Sequence, residues 1–285
     1  MTDSEVRRVR SPKRTLLVVG CGSLGSSMIS ACLSSGIIQK EGCTFIERDS
    51  KRRSEAASSF GCRAEEFPGE YVRDFESVAL VVKPQEAEAV CRALSPFLRS
   101  SQLILSVMAG VSTQSLQLWL NKHRTIVRAM PNLPARFQEG VSALFCPPEV
   151  LPAAQAAAEE ILHSFGRVIR VDSELLVDAA TAVSGTGPAY FFYLVEQLEL
   201  VAQEFGFSRE QATALVRTTM RGSARMLLED SDSAARMRER VTSKGGTTEA
   251  AFRVLEGAGV GERFQEAIRS AFMCARQMSA GKSEP

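Results

Sequence analysis

Three glycines with the spacing G-x-G-x-x-G lie near the start of the chain. The apolar residues 16–19 precede them and an amphipathic stretch follows, so the glycines connect a buried strand to a helix. In that position the first glycine permits a tight turn, the second lets a pyrophosphate approach the backbone, and the third lets helix and strand pack closely. Unpaired N–H groups at the start of the helix favour an anion. The sequence therefore predicts a dinucleotide site formed by Gly20, Cys21, Gly22, Ser23, Leu24 and Gly25.

The end of the second predicted strand carries both residue types that select between nicotinamide cofactors. An acidic residue here holds the ribose 2′-hydroxyl of NAD, whereas an arginine accommodates the 2′-phosphate of NADP. Glu47 and Arg48 are adjacent, and Lys51, Arg52 and Arg53 follow. Because these cations surround Arg48, the local field favours a phosphate. We predict NADPH as the cofactor, with Arg48 in contact with it and NADH as the alternative.

The elements that must position this site alternate along the first half of the chain. Short apolar runs at residues 16–19, 45–46, 78–82, 103–107, 125–127, 141–145 and 167–171 are typical of buried strands. The stretches between them, at residues 23–35, 50–60, 85–98, 112–120 and 152–165, have helical periodicity. Strands and helices in this order predict a parallel sheet covered by helices.

After residue 172 only helical patterns follow. The sequence therefore predicts an α/β fold in which an N-terminal Rossmann-type doubly wound sheet is followed by an all-α dimerisation domain. Residues 1–14 would be a flexible basic tail, 15–171 the NAD(P)-binding domain, and 172–285 the helical dimerisation and substrate domain. Residues 188–205 carry apolar side chains on more than one face. An intertwined dimer would bury them, and so would a core helix.

Composition excludes several classes of function. A length of 285 residues favours roughly two domains. The net charge of +1 argues against nucleic acid as a partner. No apolar run approaches the length of a membrane span, and the polar first residues contain no secretion signal. The seven cysteines lack a C-x-x-C pair and the two histidines lack ligand spacing. We therefore expect buried free thiols in a reducing compartment, the cytoplasm, and no metal site.

Three further stretches are dense in glycine, proline, serine and threonine, and they carry a resemblance to a known family. Residues 128–134 match R-x-M-P-N-x-P, residues 184–190 match S-G-S-G-P-A-Y with one change, and residues 241–248 match V-x-S-P-G-G-T-T with one change. Residues 82–84 and 109–111 fit shorter signatures. Over about residues 15–280 the chain thus resembles the pyrroline-5-carboxylate reductases.

The resemblance implies an activity and an assembly. It implies the last step of proline biosynthesis, in which a nicotinamide hydride reduces the imine carbon of 1-pyrroline-5-carboxylate and L-proline is formed. It also implies a homodimer, pentamers of dimers (a decamer), and an active site where the helical domain of one subunit meets the nucleotide domain of another. The partner is then a small imine carboxylate. Because a protonated imine is a good electrophile, orientation and charge placement would supply most of the rate.

The resemblance also assigns site residues. Thr248 would face the substrate nitrogen and Thr247 would support its carboxylate, with Ser243 as a third catalytic residue. Gly245 and Gly246 would complete the substrate turn at the start of a helix, where N–H groups hold anions. Further cofactor contacts would come from strand ends and from the helical domain: Val81, Val82, Lys83, Pro84, Val107, Met108, Ala109 and Glu174.

Three residues depart from the family pattern. Lys244 replaces a proline, Met108 replaces a small alanine, and Pro68 stands where asparagine is usual. Lys244 and Met108 motivate a second hypothesis, a catalytically weak paralogue that binds NADP(H) and regulates a partner. A reductase of another cyclic imine and an enzyme of the wider β-hydroxyacid dehydrogenase type are two further hypotheses. Enzymes of the latter type carry a catalytic lysine after the glycine motif, and none follows Gly187 here.

Overall fold

The structure is a computed structural model that describes residues 14–279. Within these residues the chain forms two compact units, one of residues up to Gly185 together with those from Phe272 onward, and one of Thr186–Ala271. The predicted tail, residues 1–14, lies outside the described residues except for Arg14, which begins the first strand.

The first unit contains a single sheet with helices on both faces. Its strands are β1 Arg14–Val19, β2 Ile38–Ile46, β3 Arg63–Glu65, β4 Ser77–Leu80, β5 Leu103–Ser106, β6 Ile126–Met130, β7 Gly140–Phe145 and β8 Gly166–Val171. Its helices are α1 Ser23–Ser34, α2 Ser50–Phe60, α3 Ala87–Leu94, α4 Thr113–Trp119, α5 Pro152–His163 and α6 Glu174–Ala180. The strand order is β3-β2-β1-β4-β5-β6-β7-β8, which places the first strand inside the sheet.

The core confirms the doubly wound sheet. Alternate residues of β1 enter two different apolar clusters: Leu16 and Val18 pack on one face, Leu17 and Val19 on the other. Side chains such as Met28 of α1 and Ile161 of α5 cover the first face. Helices α3 and α4 cover the second. Strands buried on both faces are continuous apolar runs, which is why β1 is recognisable in the sequence.

The expectation of a wholly parallel sheet is wrong at β7. This strand runs antiparallel to β6, whereas the other neighbouring pairs are parallel. Only nine residues separate the two strands, between Met130 and Gly140, and they form a short 3-10 turn over Leu133–Phe137. A parallel connection needs a crossover of a dozen or more residues, so this linker forces the antiparallel pairing.

Two other local expectations also differ. Strand β3 is absent from the sequence-based prediction, because its three residues Arg63–Glu65 contain no apolar run. The predicted helix over residues 85–98 is shorter: α3 is flanked by 3-10 turns at Pro84–Glu86 and Ser95–Phe97. Pro96 lacks an N–H and cannot continue an α-helix, which explains the C-terminal limit.

The second unit is helical, as predicted. It contains α7 Gly187–Glu204, α8 Arg209–Glu229, α9 Ala234–Arg240, α10 Thr247–Gly257 and the first part of α11 Val260–Ser279, whose last residues belong to the first unit. A capping box begins α8: the Ser208 hydroxyl accepts from the N–H of Gln211, whose side chain accepts from the N–H of Ser208. A π-helical turn, Thr181–Gly185, follows α6.

Candidate active site

The glycine loop has the backbone that a dinucleotide requires. Gly20 has φ +99°, and its N–H donates to the carbonyl of Ile46 at 2.9 Å. Gly22 is the N-cap of α1, and no side chain caps the first N–H groups of the helix. A Cβ on Gly20 would lie 2.7 Å from the Val81 carbonyl oxygen, whereas one on Gly22 would meet nothing within 4 Å. The space in front of Gly22 is therefore free of protein atoms.

A cleft of about 390 Å³ opens at this loop. It lies at the carboxyl ends of β1, β2 and β4, where open α/β sheets bind ligands. Its lining includes six of the fourteen cofactor residues predicted from the first half of the chain, which are Gly20, Gly22, Arg48, Val81, Val82 and Lys83. The other lining residues are Val19, Ile46, Glu47, Asp49, Arg52, Glu86 and Val90.

Glu47 has a structural role that the sequence does not reveal. It directly follows β2, and its side chain is only 10% exposed. Its carboxylate accepts from the N–H of Cys21 at 3.2 Å and from the N–H of Asp49 at 3.0 Å, and it pairs with Arg52 at 3.2 Å. This carboxylate therefore ties the glycine loop to the end of β2 with both of its oxygens engaged.

Arg48 is exposed at the rim of the same cleft. Within residues 14–279, its guanidinium takes part in no ion pair or hydrogen bond. Its neighbour Arg53 is engaged, since it donates to the Glu47 carbonyl and pairs with Glu66. Lys51 is also exposed and unpaired among the described residues, but of these two cations Arg48 is the one that lines the cleft.

The loops after β4 and β5 continue the same edge of the sheet. The N–H of Val81 donates to the Val19 carbonyl at 2.8 Å, and the N–H of Val107 donates to the Leu80 carbonyl at 3.1 Å. Lys83 is exposed. Met108 is only 3% exposed, and its side chain fits into the apolar core on one face of the sheet.

Glu174 takes part in a buried ion network. Its carboxylate accepts from the Thr113 N–H at 2.8 Å, from the Thr113 hydroxyl at 3.0 Å and from Arg128 at 3.0 Å. Arg128 is 1% exposed and also pairs with Asp178 at 3.0 Å. Three donors thus already hold the Glu174 carboxylate, the group predicted to contact the cofactor. Sequence reasoning identifies Arg128 as a motif residue but misses its burial and Asp178.

The first two sequence motifs meet in the first unit. Gly185, in the π-helical turn, lies against Met130 at the end of β6: a Cβ on Gly185 would come within 2.6 Å of the Met130 methyl carbon. The glycine therefore permits the close approach of the π-helical turn to the end of β6.

The substrate turn lies in the second unit and opens α10. Gly245 has φ +74°, and the N–H of Gly246 donates to the Ser243 carbonyl at 3.0 Å. A Cβ on Gly246 would overlap the Ser243 hydroxyl, which would have to rotate away. Thr247 and Thr248 form the first two positions of α10, where N–H groups have no partner inside the helix. A helix start of this kind favours an anion.

The titratable groups of the loop favour a neutral thiol. Burial raises the pKa of Cys21, with the hydrogen bond to Ser26 opposing it, so the loop adds no negative charge at neutral pH. Five of the seven cysteines are buried free thiols, as predicted, but Cys146 is partly exposed and Cys274 is exposed. Burial raises the pKa of Cys32 to about 11 and that of Cys91 to about 12.

Residues 14–279 contain neither a candidate metal cluster nor a helix suited to span a membrane. No group of three or more His, Cys, Asp or Glu side chains in this part of the chain is arranged to hold a metal ion. Over the same residues, none of the helices combines the length and the apolar character needed to cross a membrane.

The fold and the glycine loop define a protein of the Rossmann class, whose members bind dinucleotides. Residues 15–110 match the family model described as NADP oxidoreductase, coenzyme F420-dependent, and residues 174–278 match the one described as pyrroline-5-carboxylate reductase dimerisation. The chain is 37% identical to the pyrroline-5-carboxylate reductase of Pseudomonas aeruginosa over 93% of its own length and 96% of that protein. It belongs to the pyrroline-5-carboxylate reductase family.

Solved structures agree with this assignment. A pyrroline-5-carboxylate reductase from Coxiella burnetii matches with a TM-score of 0.84 and 31% identity, over 94% of this chain and 99% of that one. The Plasmodium falciparum pyrroline carboxylate reductase, solved with NADP bound, matches with a TM-score of 0.84 and 26% identity, over 93% and 98%. The matches support a nicotinamide cofactor and do not favour the hypotheses of a regulatory paralogue or a β-hydroxyacid dehydrogenase.

Proposed function

We propose that the chain reduces 1-pyrroline-5-carboxylate to L-proline with NADPH. The observation that carries the proposal is the open glycine loop in a chain that matches pyrroline-5-carboxylate reductases along nearly its whole length. The reduced nicotinamide supplies the hydride. The residues of this chain bind and orient: Gly20, Gly22 and Gly25 shape the pyrophosphate cradle, and the loops after β4 and β5 form the adjoining edge.

The substrate side of the proposal uses the start of α10. The N–H groups of Gly245 and Gly246 are already engaged, with Glu249 and with Ser243. We therefore assign the carboxylate of the substrate to the N–H groups of Thr247 and Thr248 and to the Thr247 hydroxyl, and the ring nitrogen to the Thr248 hydroxyl. The glycines and Ser243 then act by shaping the turn. Donors fixed before the reaction stabilise charge without reorganisation.

A spectrophotometric assay tests the activity. Purified protein with NADPH and 1-pyrroline-5-carboxylate is expected to oxidise the cofactor and release L-proline. Thr248→Ala should lower kcat/KM about tenfold or more, because a hydrogen bond to a charged group is worth about 1.5–3 kcal/mol. The affinity for NADPH should stay at the parent value, and Thr248→Ser, which keeps the hydroxyl, should retain most activity. Binding of NADPH without any turnover would reject the proposed reaction.

Arg48 carries the proposed preference for NADPH. It is exposed at the cleft and unpaired among the described residues, while the Glu47 carboxylate that would suit NADH is already engaged. Arg48→Ala should raise KM for NADPH about tenfold and leave KM for NADH nearly unchanged. Lys51→Ala is the matched control, because Lys51 is an exposed cation of the same segment outside the cleft lining. An unaltered NADPH/NADH ratio in Arg48→Ala would remove this arginine from the cofactor site.

We also propose a homodimer, built through the helical unit, as the minimal assembly. The match of residues 174–278 to a dimerisation family model supports it. The larger decameric assembly stays a prediction from the family resemblance.

A further inference from the structure

The segment before α10 is a β-turn of defined type. The N–H of Gly246 donates to the carbonyl of Ser243 at 3.0 Å, which makes Ser243 and Gly246 the first and fourth residues. Gly245, the third residue, has φ +74°, and Lys244, the second, is not among the residues with positive φ. This combination defines a type II turn, which requires positive φ at its third position and favours proline at its second.

A carboxylate of the following helix holds this turn. The N–H of Gly245 is not used by the hydrogen bond that closes a type II turn, and it donates instead to Oε2 of Glu249 at 2.7 Å. Glu249 is the third residue of α10, and the N-cap, Gly246, has no side chain with which to cap the helix. Glu249 thus reaches back as the glutamate of a capping box does, but one residue further.

The bond to Gly245 is the shortest polar contact of this carboxylate. The nearest cation, Arg253, lies 4.0 Å away, one helical turn along. The Glu249 side chain is 40% exposed, so solvent reaches it and the bond to Gly245 is what fixes its position. A hydrogen bond with an ionised acceptor is about twice as strong as a neutral one, so Glu249 is well suited to restrain a glycine pair.

We propose that Glu249 is a positioning residue for the substrate turn. By holding Gly245 it fixes the backbone that leads into Thr247 and Thr248, and so aims the donors assigned above to the substrate. The inference rests on the proposed function, but it concerns how the turn is held. Two glycines in succession have the greatest backbone freedom of any pair, and misplaced donors lower the rate steeply.

Lys244 makes the dependence on Glu249 stronger. A proline at this position would fix φ near the −60° that a type II turn needs, and lysine does not. In the described residues the N–H of Lys244 donates no hydrogen bond, so Lys244→Pro would sacrifice none. Two restraints on one turn should act redundantly, so the proline should restore what loss of the carboxylate removes.

Steady-state kinetics of five variants test the proposal. Glu249→Ala should raise KM for 1-pyrroline-5-carboxylate about tenfold, with the dissociation constant of NADPH and the melting temperature close to the parent values. Glu249→Gln keeps an acceptor oxygen and should stay within about threefold of the parent. Lys244→Pro/Glu249→Ala should return to within about twofold of Lys244→Pro. Glu256→Ala, which removes an exposed carboxylate from the same helix, should have no effect.

Hydrogen–deuterium exchange of residues 241–248 tests the restraint without reference to activity. The amides of this segment should exchange faster in Glu249→Ala and return to the parent rate in the double variant. Unchanged exchange and unchanged KM in Glu249→Ala would overturn the proposal, as would a KM increase that the proline does not reverse. A parent protein without turnover would reject the proposed function alone, because the exchange result would still decide the role of Glu249.

Discussion

At the residue scale, the buried charges of the first unit show that Arg128, a residue of the motif at 128–134, has a structural role. Arg128 is almost fully buried, and both of its terminal nitrogens bond to carboxylates, of Glu174 and Asp178. The Ser279 hydroxyl donates to the same Asp178, which ties the end of α11 into the network. A buried ion is tolerated only when it is paired, and removal of one partner typically costs about 3–5 kcal/mol. The arginine of this motif therefore serves to join β6 to α6.

His123 gives a prediction about pH. It is 6% exposed, and its Nε2 donates to the Gln102 carbonyl at 2.7 Å. Burial lowers its pKa below the ordinary 6.5, with the hydrogen bond to Gln102 opposing. Below about pH 6.5, His123 is protonated more readily in the unfolded chain than in the folded one. Its contribution to the free energy of unfolding is therefore complete above pH 6.5 and is lost as the pH falls through the lowered pKa.

We therefore expect the melting temperature of the parent to fall between about pH 7.5 and pH 5.5 more steeply than that of His123→Gln, whose amide can still donate to the carbonyl. Thermal unfolding followed by circular dichroism across this range measures the difference. His163→Gln is the matched control, because His163 is exposed. Parallel curves for the parent and His123→Gln would show that His123 does not cause the pH dependence.

At the element scale, two glycines of the glycine loop have different roles, one in folding and the other in ligand binding. A Cβ on Gly25 would overlap the Gly20 carbonyl oxygen, whereas a Cβ on Gly22 would meet no protein atom. Gly25→Ala should therefore lower the melting temperature, since overpacking costs about 1–3 kcal/mol and outweighs the roughly 1 kcal/mol that alanine gains over glycine in a helix. Gly22→Ala should melt like the parent but bind NADPH at least about tenfold more weakly, because its methyl group occupies the pyrophosphate space.

Thermal unfolding and fluorescence titration with NADPH distinguish these two outcomes. Gly36→Ala serves as a third variant: Gly36 has positive φ but open surroundings, so it reports the backbone cost alone. If Gly22→Ala bound NADPH as tightly as the parent, the pyrophosphate could not lie at the start of α1.

Sequence patterns alone are sufficient to predict some of the elements. Strands such as β1 and β5 are predictable because both of their faces are buried. The capping residues Ser208 and Gln211 indicate where α8 begins. Short edge elements such as β3 are not, because three half-exposed residues carry no periodicity. In the site, local motifs locate the glycine loop and the substrate turn. The roles of Glu47 and Glu249 depend on hydrogen bonds to backbone N–H groups, which residue type alone does not reveal.

At the scale of the whole molecule, the helical unit of a single chain exposes an apolar surface to solvent. Five apolar side chains of α7 and the residue after it follow helical spacing along one face, and each is at least 41% exposed: Phe191, Leu194, Leu198, Val201 and Phe205. Apolar surface of this extent marks a protein interface. This face gives the proposed homodimer its physical basis.

A charge on this face should dissociate the dimer. Leu198→Glu buries a carboxylate without a partner at an apolar interface, and a charge of that kind costs several kcal/mol, enough to shift association by a factor of a hundred or more. Gln197→Glu introduces the same charge at the neighbouring exposed position and is the matched control. Light scattering coupled to gel filtration should give a monomer mass for Leu198→Glu and a dimer mass for the parent. A dimer that survives Leu198→Glu would place the interface on another face of the helical unit. Loss of turnover in step with dissociation would show that the active site needs both subunits, because dissociation leaves the cofactor loop of each chain unaltered.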